Sequence, residues 1–89
     1  GNFELFYVRD KEKREVDFLI VRDKKPWLLA ECKESDTKLS PSLKYYSSLL
    51  KPDMTCQIVK QAGIHEIIQN KDGTDIFVIS AGKILSLLP

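Results

Sequence analysis

Acidic residues and a lysine recur at two-residue spacing in two predicted strands. Glu15 and Asp17 lie in the first strand, and Glu31 and Lys33 end the second. Alternate side chains of a strand share a face, so each pair points to one side. If the strands pair, their backbones lie about 4.8 Å apart, and carboxylates from both reach one divalent cation. The pattern predicts a metal site with Glu15 as an auxiliary, where Lys33 orients a water or neutralises charge on a phosphate.

A solvated strand edge is the ordinary explanation of a Glu-x-Lys pair, because surface ion pairs contribute roughly 0 to 1 kcal/mol. The segment before the pair argues for more. Residues Trp27–Ala30 form a continuous apolar run, which predicts a buried strand. A buried strand that ends with an acid and a base on one side indicates a functional use. From the pattern alone, both interpretations stay open.

Strict alternation assigns faces to the two strands. In the strand predicted at 15–21, Asp17 shares a face with Leu19, and Val16 lies on the opposite face. In the strand predicted at 26–33, Glu31 lies opposite Cys32. We expect Cys32 to be a small buried residue rather than a nucleophile, because no histidine lies near it in the sequence to lower its pKa.

One helix and three further strands complete the predicted elements. Ser40-Pro41 is a helix start with a capping hydroxyl, and an apolar stripe continues from it to residue 50. Residues 55–59 predict a short strand, and residues 64–69 and 75–80 predict a hairpin around Asp72-Gly73. Residues 82–88 suit either a short helix or a last strand. The helix is expected to cover the sheet.

The order of these elements carries a resemblance to a known superfamily. A strand with Glu15-Val-Asp17, a strand with Glu31-Cys-Lys33 and then the helical Ser40-Pro-Ser-Leu-Lys-Tyr-Tyr resemble the PD-(D/E)xK nucleases, which have the restriction-endonuclease-like fold. More specifically, the chain resembles the uncharacterised C-terminal domain found behind AAA-type ATPase modules in bacteria and archaea. The resemblance covers most of the chain.

The resemblance implies an α/β fold with a small mixed central sheet, and a metal-dependent nuclease activity. It implies Asp17 and Glu31 as ligands of Mg²⁺ or Mn²⁺, with the backbone carbonyl of Cys32 as a third ligand. Lys33 is then the base that positions the water. The chain departs from the superfamily at its start, where a strand-like segment at 3–8 stands in place of an acidic helix, and at Val16, where a proline is usual.

The resemblance and the chain length together suggest a part of a larger assembly. Residues 1–89 suit a single small domain, which we expect to be a C-terminal piece of a longer protein. A sheet covered by one helix leaves one apolar face open. We expect that face to meet an upstream helix, an ATPase module or a second copy of the domain.

Charge gives a weaker signal for nucleic-acid binding. The formal net charge of +1 excludes a global basic field. Contact with DNA or RNA would therefore depend on local cations, which lie in the loop between the first two strands and on the helix: Arg9, Lys11, Lys13, Arg14 and Lys44. A solvated loop and an ordinary polar helix face are the favoured explanations of both clusters.

The expected location is cytoplasmic, with no membrane partner. The chain has two cysteines, no secretory signal and no apolar stretch near the roughly 20 residues that cross a bilayer. Two functional hypotheses remain. One is a metal-dependent nuclease appended to an ATPase, and the other is a non-catalytic module that packs on an ATPase, a protein partner or nucleic acid.

Overall fold

The computed structural model describes residues 1–35 and 37–84. The described strands are β1 (Phe3–Arg9), β2 (Glu15–Arg22), β3 (Lys25–Lys33), β4 (Met54–Val59), β5 (His65–Gln69) and β6 (Asp75–Ser80). The described helices are α1 (Pro41–Leu50) and α2 (Ala81–Ile84). The predicted last element at 82–88 is therefore a helix as far as Ile84, and its remaining positions lie outside the described residues.

All six strands form one mixed sheet in the order β1-β2-β3-β4-β6-β5. The first three strands make an antiparallel meander, whereas β3, β4 and β6 run parallel. α1 supplies the crossover that parallel pairing of β3 and β4 requires. The predicted hairpin pairs β5 with β6, and Gly73 takes a φ of +88° in its turn. The predicted α/β class, with a mixed central sheet and a covering helix, is confirmed.

α1 begins and ends at the predicted residues. The Ser40 hydroxyl oxygen accepts a hydrogen bond from the Leu43 amide at 3.2 Å, and Pro41 occupies the first helical position. The helix ends at Lys51, whose φ is +48° and whose amide donates to the Ser47 carbonyl. Leu43 and Tyr46 are buried and pack the helix against the sheet.

Each face of the sheet carries its own apolar cluster. The first lies under α1 and joins fully buried residues of several elements, including Leu29, Leu43, Val59 and Val78. The second lies on the opposite face, where Ile84 of α2 is buried. Six large residues of that second face are only partly buried: Phe18, Ile20, Trp27, Met54, Ile58 and Phe77. The described helices therefore cover the two faces unequally.

The sheet breaks strict alternation at Val16. The ladder between β1 and β2 shifts register between Phe6 and Val8, so that Phe6 pairs with Leu19 but Val8 pairs with Val16. An additional residue in β2 bends the strand, as in a β-bulge. Val16 consequently joins Leu19 in the cluster under α1, and the prediction that Val16 lies on the opposite face is wrong.

The helices found in residues 1–35 and 37–84 are too short, or insufficiently apolar, to span a bilayer.

Candidate functional site

The Asp17 carboxylate contacts the Cys32 backbone amide at the point where the ladder between β2 and β3 ends. The last pair on this side joins Phe18 with Ala30, so Asp17 and Glu31 follow it on their strands. Asp17 Oδ2 accepts a hydrogen bond from the Cys32 amide at 2.7 Å. The carboxylate thus takes the place of a backbone acceptor, and the two adjoining strands bring their acids to one end as the sequence predicts.

Glu31 carries the unusual atom of this site. Glu31 as a whole is half-buried, but its Oε2 atom is fully buried and has no hydrogen-bond partner. In residues 1–35 and 37–84, no other buried side-chain nitrogen or oxygen lacks a partner. Burying a polar group without a hydrogen bond costs free energy, and the cost rises when the group is charged. The sheet therefore holds a carboxylate oxygen in a position that nothing in the described chain satisfies.

The carboxylates of Asp17 and Glu31 both act electrostatically on the Cys32 thiol. Desolvation by the surrounding protein, followed by the negative charges of Asp17 and Glu31, raises the pKa of this thiol. A raised pKa leaves little thiolate, which disfavours a nucleophilic role as expected. The expectation that Cys32 is buried is wrong, because its residue is exposed. Cys56 is the buried cysteine, and burial raises its thiol pKa to about 12.

Lys33 ends β3 one alternate position beyond Glu31. The residue is half-buried, and its carbonyl accepts a hydrogen bond from the Lys60 amide at 2.9 Å. None of the ion pairs among the described residues involves its ammonium group. Lys33 therefore has a fixed backbone and a side chain that is not neutralised by a described carboxylate.

Glu15 interacts with two residues of β1. Its Oε1 atom lies 3.7 Å from Arg9 Nε. The Tyr7 hydroxyl lies beside it, and a hydrogen bond with Glu15 is the main cause that raises the pKa of Tyr7. Within the described ranges, no three His, Cys, Asp or Glu side chains form a group that could hold a metal. At any one place, the described residues therefore offer a metal at most two such side chains.

Arg14, predicted as a weak nucleic-acid contact, makes several contacts with other residues of this domain. Its Nε lies 2.7 Å from Asp10 Oδ2, and its Nη2 lies 2.7 Å from Glu12 Oε2. Its guanidinium carbon stacks 3.7 Å from the centroid of the Tyr45 ring. The Tyr46 hydroxyl donates to the Arg14 carbonyl at 3.3 Å. These contacts attach the loop between β1 and β2 to α1.

The other predicted contact residues are spread over the surface. Lys11 and Lys13 are exposed in the same loop, and Lys13 has a φ of +62°. Lys44 is exposed on α1. Their binding of nucleic acid remains a prediction, because position alone does not assign it.

Gln57 is a site residue that the sequence did not reveal. It lies beside Glu31 on β4 and is completely buried. Its Oε1 accepts from the Ser40 amide at 2.9 Å, and its Nε2 donates to the Lys38 carbonyl at 2.9 Å. Gln57 thus anchors the segment that leads into α1 next to the acidic pair. A polar residue in the middle of an apolar strand was the available signal.

Comparison with known proteins assigns a family but no activity. The model of a family described as a domain of unknown function (DUF4143) matches residues 1–84. No curated protein and no solved structure matches the chain. The chain therefore belongs to the DUF4143 family, an uncharacterised domain family.

Proposed function

We propose that this chain, as a member of the DUF4143 family, is a metal-dependent nuclease of the PD-(D/E)xK type. Asp17 and Glu31 would hold Mg²⁺ or Mn²⁺ together with the Cys32 carbonyl, and Lys33 would act on the attacking water. The observation that carries the proposal is the buried Glu31 Oε2 atom, which has no hydrogen-bond partner. The amide of the next residue, Cys32, donates to the Asp17 carboxylate.

The donor set suits a hard divalent cation. Oxygen ligands are the ones that Mg²⁺ prefers, and it commonly binds through one or two carboxylates while it keeps several waters. Two acids are therefore enough, even though no third His, Cys, Asp or Glu joins them in the described chain. A bound cation would supply a polarised phosphate and a bound water of lowered pKa.

The chain's own residues would position the reactants. The hydrogen bond from the Cys32 amide fixes the Asp17 carboxylate at the end of β3. The buried surroundings of Glu31 exclude water from one of its oxygens. Lys33 lies on the same strand two residues later, where its ammonium is not neutralised by a described acid. An ammonium in that position directs a water or stabilises charge that develops on a phosphate.

A cleavage assay with two matched lysine variants tests the proposal. Labelled single-stranded and duplex DNA and RNA are incubated with the protein in Mg²⁺, Mn²⁺ or EDTA. We expect cleavage only with metal, and we expect Lys33→Met to lower the rate by roughly a hundredfold or more, the scale of acid–base catalysis. Lys60→Met is the control, because Lys60 follows the adjacent strand and its side chain is 80% exposed.

Two results would overturn this assignment. Cleavage that persists in EDTA would remove the metal from the mechanism. Equal rates for Lys33→Met and the unmodified protein would remove Lys33 from it.

A packing module is the second candidate function, and β1 is the observation that favours it. This edge strand exposes four large apolar residues, of which Leu5 is 70% exposed: Phe3, Leu5, Phe6 and Tyr7. An exposed apolar edge strand is a template for pairing with another chain. The proposed partners are an ATPase module of a longer protein or a second copy of this domain. Light scattering over a range of concentrations tests the second, and a monodisperse monomer would exclude it.

A further inference from the structure

A groove separates α1 from the turn between β5 and β6. Its volume is about 630 Å³, within the range of small-ligand sites. An aromatic and apolar floor and two lysines at the rim line it: Leu39, Tyr45, Leu49, Ile68, Lys44 and Lys71. No carboxylate is among the described residues that line it. The groove thus combines apolar surface with uncompensated positive charge.

The two walls of the groove are tied together. The Asn70 side-chain amide donates to the Lys44 carbonyl at 3.1 Å and to the Ser48 hydroxyl oxygen at 2.9 Å. Asn70 belongs to the turn, and both acceptors belong to α1. The turn itself is closed by the Asn70 amide, which donates to the Thr74 carbonyl at 2.7 Å. The groove is therefore a built feature rather than a gap between independent segments.

Tyr45 is an aromatic ring that is already fixed in place. The Arg14 guanidinium stacks on it at 3.7 Å, and Tyr46 makes a T-shaped contact with it, with 5.1 Å between the ring centroids. Asp10 and Glu12 in turn hold the guanidinium. A ring that is held before a ligand arrives loses little conformational freedom on binding, which favours affinity.

Lys44 and Lys71 supply the charge. Neither ammonium belongs to an ion pair among the residues that the structure describes. A positively charged groove with an aromatic platform is the arrangement by which proteins bind single strands, with phosphates at the cations and a base on the ring. Bases in a duplex are stacked and do not reach such a ring.

We propose that this groove binds a single-stranded segment of nucleic acid. The inference rests on the proposed function, because it names the substrate class of the same domain. The chain connects the two places: Leu39 lines the groove, and the next residue, Ser40, donates to Gln57. Gln57 lies beside Glu31 on the adjacent strand. A strand bound along α1 would therefore lead toward the acidic pair.

Fluorescence anisotropy tests the groove without any cleavage. Labelled single strands of DNA and RNA, each twelve nucleotides long, and a matched duplex are titrated with the protein in EDTA. We expect the single strands to bind more tightly than the duplex. Tyr45→Ala should weaken binding roughly five- to hundredfold, the scale of one base–aromatic stack, whereas Tyr45→Phe should retain it.

The lysines have their own readout. The double variant Lys44→Ala and Lys71→Ala should weaken binding and flatten its salt dependence, since two phosphate contacts give a log–log slope of about −1.4 for single strands. Lys25→Ala is the matched control, because Lys25 is exposed on β3 outside this groove. Thermal melting confirms that each variant is folded.

The outcomes separate this inference from the proposed nuclease. Normal binding by the Tyr45→Ala and double-lysine variants would overturn the groove assignment even if cleavage occurs. Equal competition by a poly-glutamate peptide would also overturn it in favour of an acidic protein partner. Single-strand binding that is lost in Tyr45→Ala and unchanged in Lys25→Ala would support it, even if the cleavage assay fails.

Discussion

Two clusters of charged residues in this domain differ in how their charges are satisfied. In the hairpin cluster, which consists of Asp10, Glu12, Arg14 and the Tyr45 ring, the guanidinium contacts two carboxylates and an aromatic face. In the sheet-end cluster, which consists of Asp17, Glu31 and Lys33, Glu31 Oε2 has no partner, and the Lys33 ammonium is in no ion pair with a described residue.

The difference indicates separate roles for the two clusters. Charges that satisfy each other inside one chain hold elements together, as Arg14 does between the loop and α1. A buried carboxylate oxygen without a partner lowers stability, and a role outside folding is one explanation for its presence. The number of charged residues in a segment therefore indicates function less well than the presence of charged groups without a partner in the fold.

The largest expected effect concerns two neighbouring polar residues, Gln57 on β4 and Glu31 on β3. Gln57→Leu removes the hydrogen bonds from the Ser40 amide and to the Lys38 carbonyl, so we expect it to lower the free energy of unfolding by about 3 kcal/mol. Glu31→Leu removes an oxygen that has no partner, and should change stability by less than about 1 kcal/mol or raise it. Urea denaturation monitored by Trp27 fluorescence measures both.

The paired result decides whether Glu31 is structurally idle. A loss for Glu31→Leu as large as that for Gln57→Leu would mean that the carboxylate stabilises the fold, and the contrast between the two clusters would fail.

A smaller effect is expected in the hairpin cluster. Arg14→Ala removes two carboxylate contacts and the stacking on Tyr45, so the melting temperature should fall by a few degrees. Arg9→Ala, in the same part of the chain, removes one contact at 3.7 Å and should leave the melting temperature nearly unchanged. Equal effects of the two variants would show that Arg14 has no special structural role.

The hairpin cluster should also respond to acid. Desolvation raises the pKa of Asp10, but hydrogen bonds from Arg14, Tyr46 and Glu12 together outweigh it, and the net pKa is lowered from its ordinary value of 3.8. A carboxyl group whose pKa is lowered by folding stabilises the fold at pH values above its unfolded-state pKa. This stabilisation is lost as the pH falls through the folded-state pKa. The stability difference between Arg14→Ala and the unmodified protein should therefore narrow below pH 3.8. A difference that is independent of pH would contradict the pairing.

The smallest effect uses Cys32 as a reporter of the sheet-end charges. Desolvation, followed by the charges of Asp17 and Glu31, raises the pKa of this thiol, so its thiolate fraction at pH 8 is lower than that of a free cysteine. Asp17→Asn keeps a hydrogen-bond acceptor but removes a charge, so the rate of iodoacetamide labelling should rise roughly two- to fivefold. Cys56 contributes little, because its pKa is about 12. An unchanged rate would mean that the Asp17 charge does not reach the thiol.

Local patterns predicted most of the elements. A continuous apolar run indicated β3, the Ser40-Pro41 start indicated α1, and Asp72-Gly73 indicated the turn between β5 and β6. These signals depend on residues that are close together in the chain. They also sufficed to bring Asp17 and Glu31 to one end of the sheet.

Features that depend on distant residues escaped prediction. The register shift that turns Val16 under α1 arises from pairing with β1, and nothing in the sequence of β2 marks it. The stacking of Arg14 on Tyr45 joins residues 31 positions apart, and the Gln57 bonds span 17 and 19 positions. The sequence also does not indicate which carboxylate oxygen is left without a partner, since this depends on the surrounding packing.

The central claim is that Asp17 and Glu31 form a divalent metal site, and a metal titration of thermal stability tests it most directly. A ligand that binds only the folded state stabilises it by about 2.7 kcal/mol at a hundred times its Kd. We expect Mg²⁺ or Mn²⁺ to raise the melting temperature with concentration, Asp17→Asn and Glu31→Gln to abolish this rise, and Lys33→Met to retain it. A melting temperature that does not change with metal concentration, or a metal-induced rise that persists in Glu31→Gln, would contradict the account.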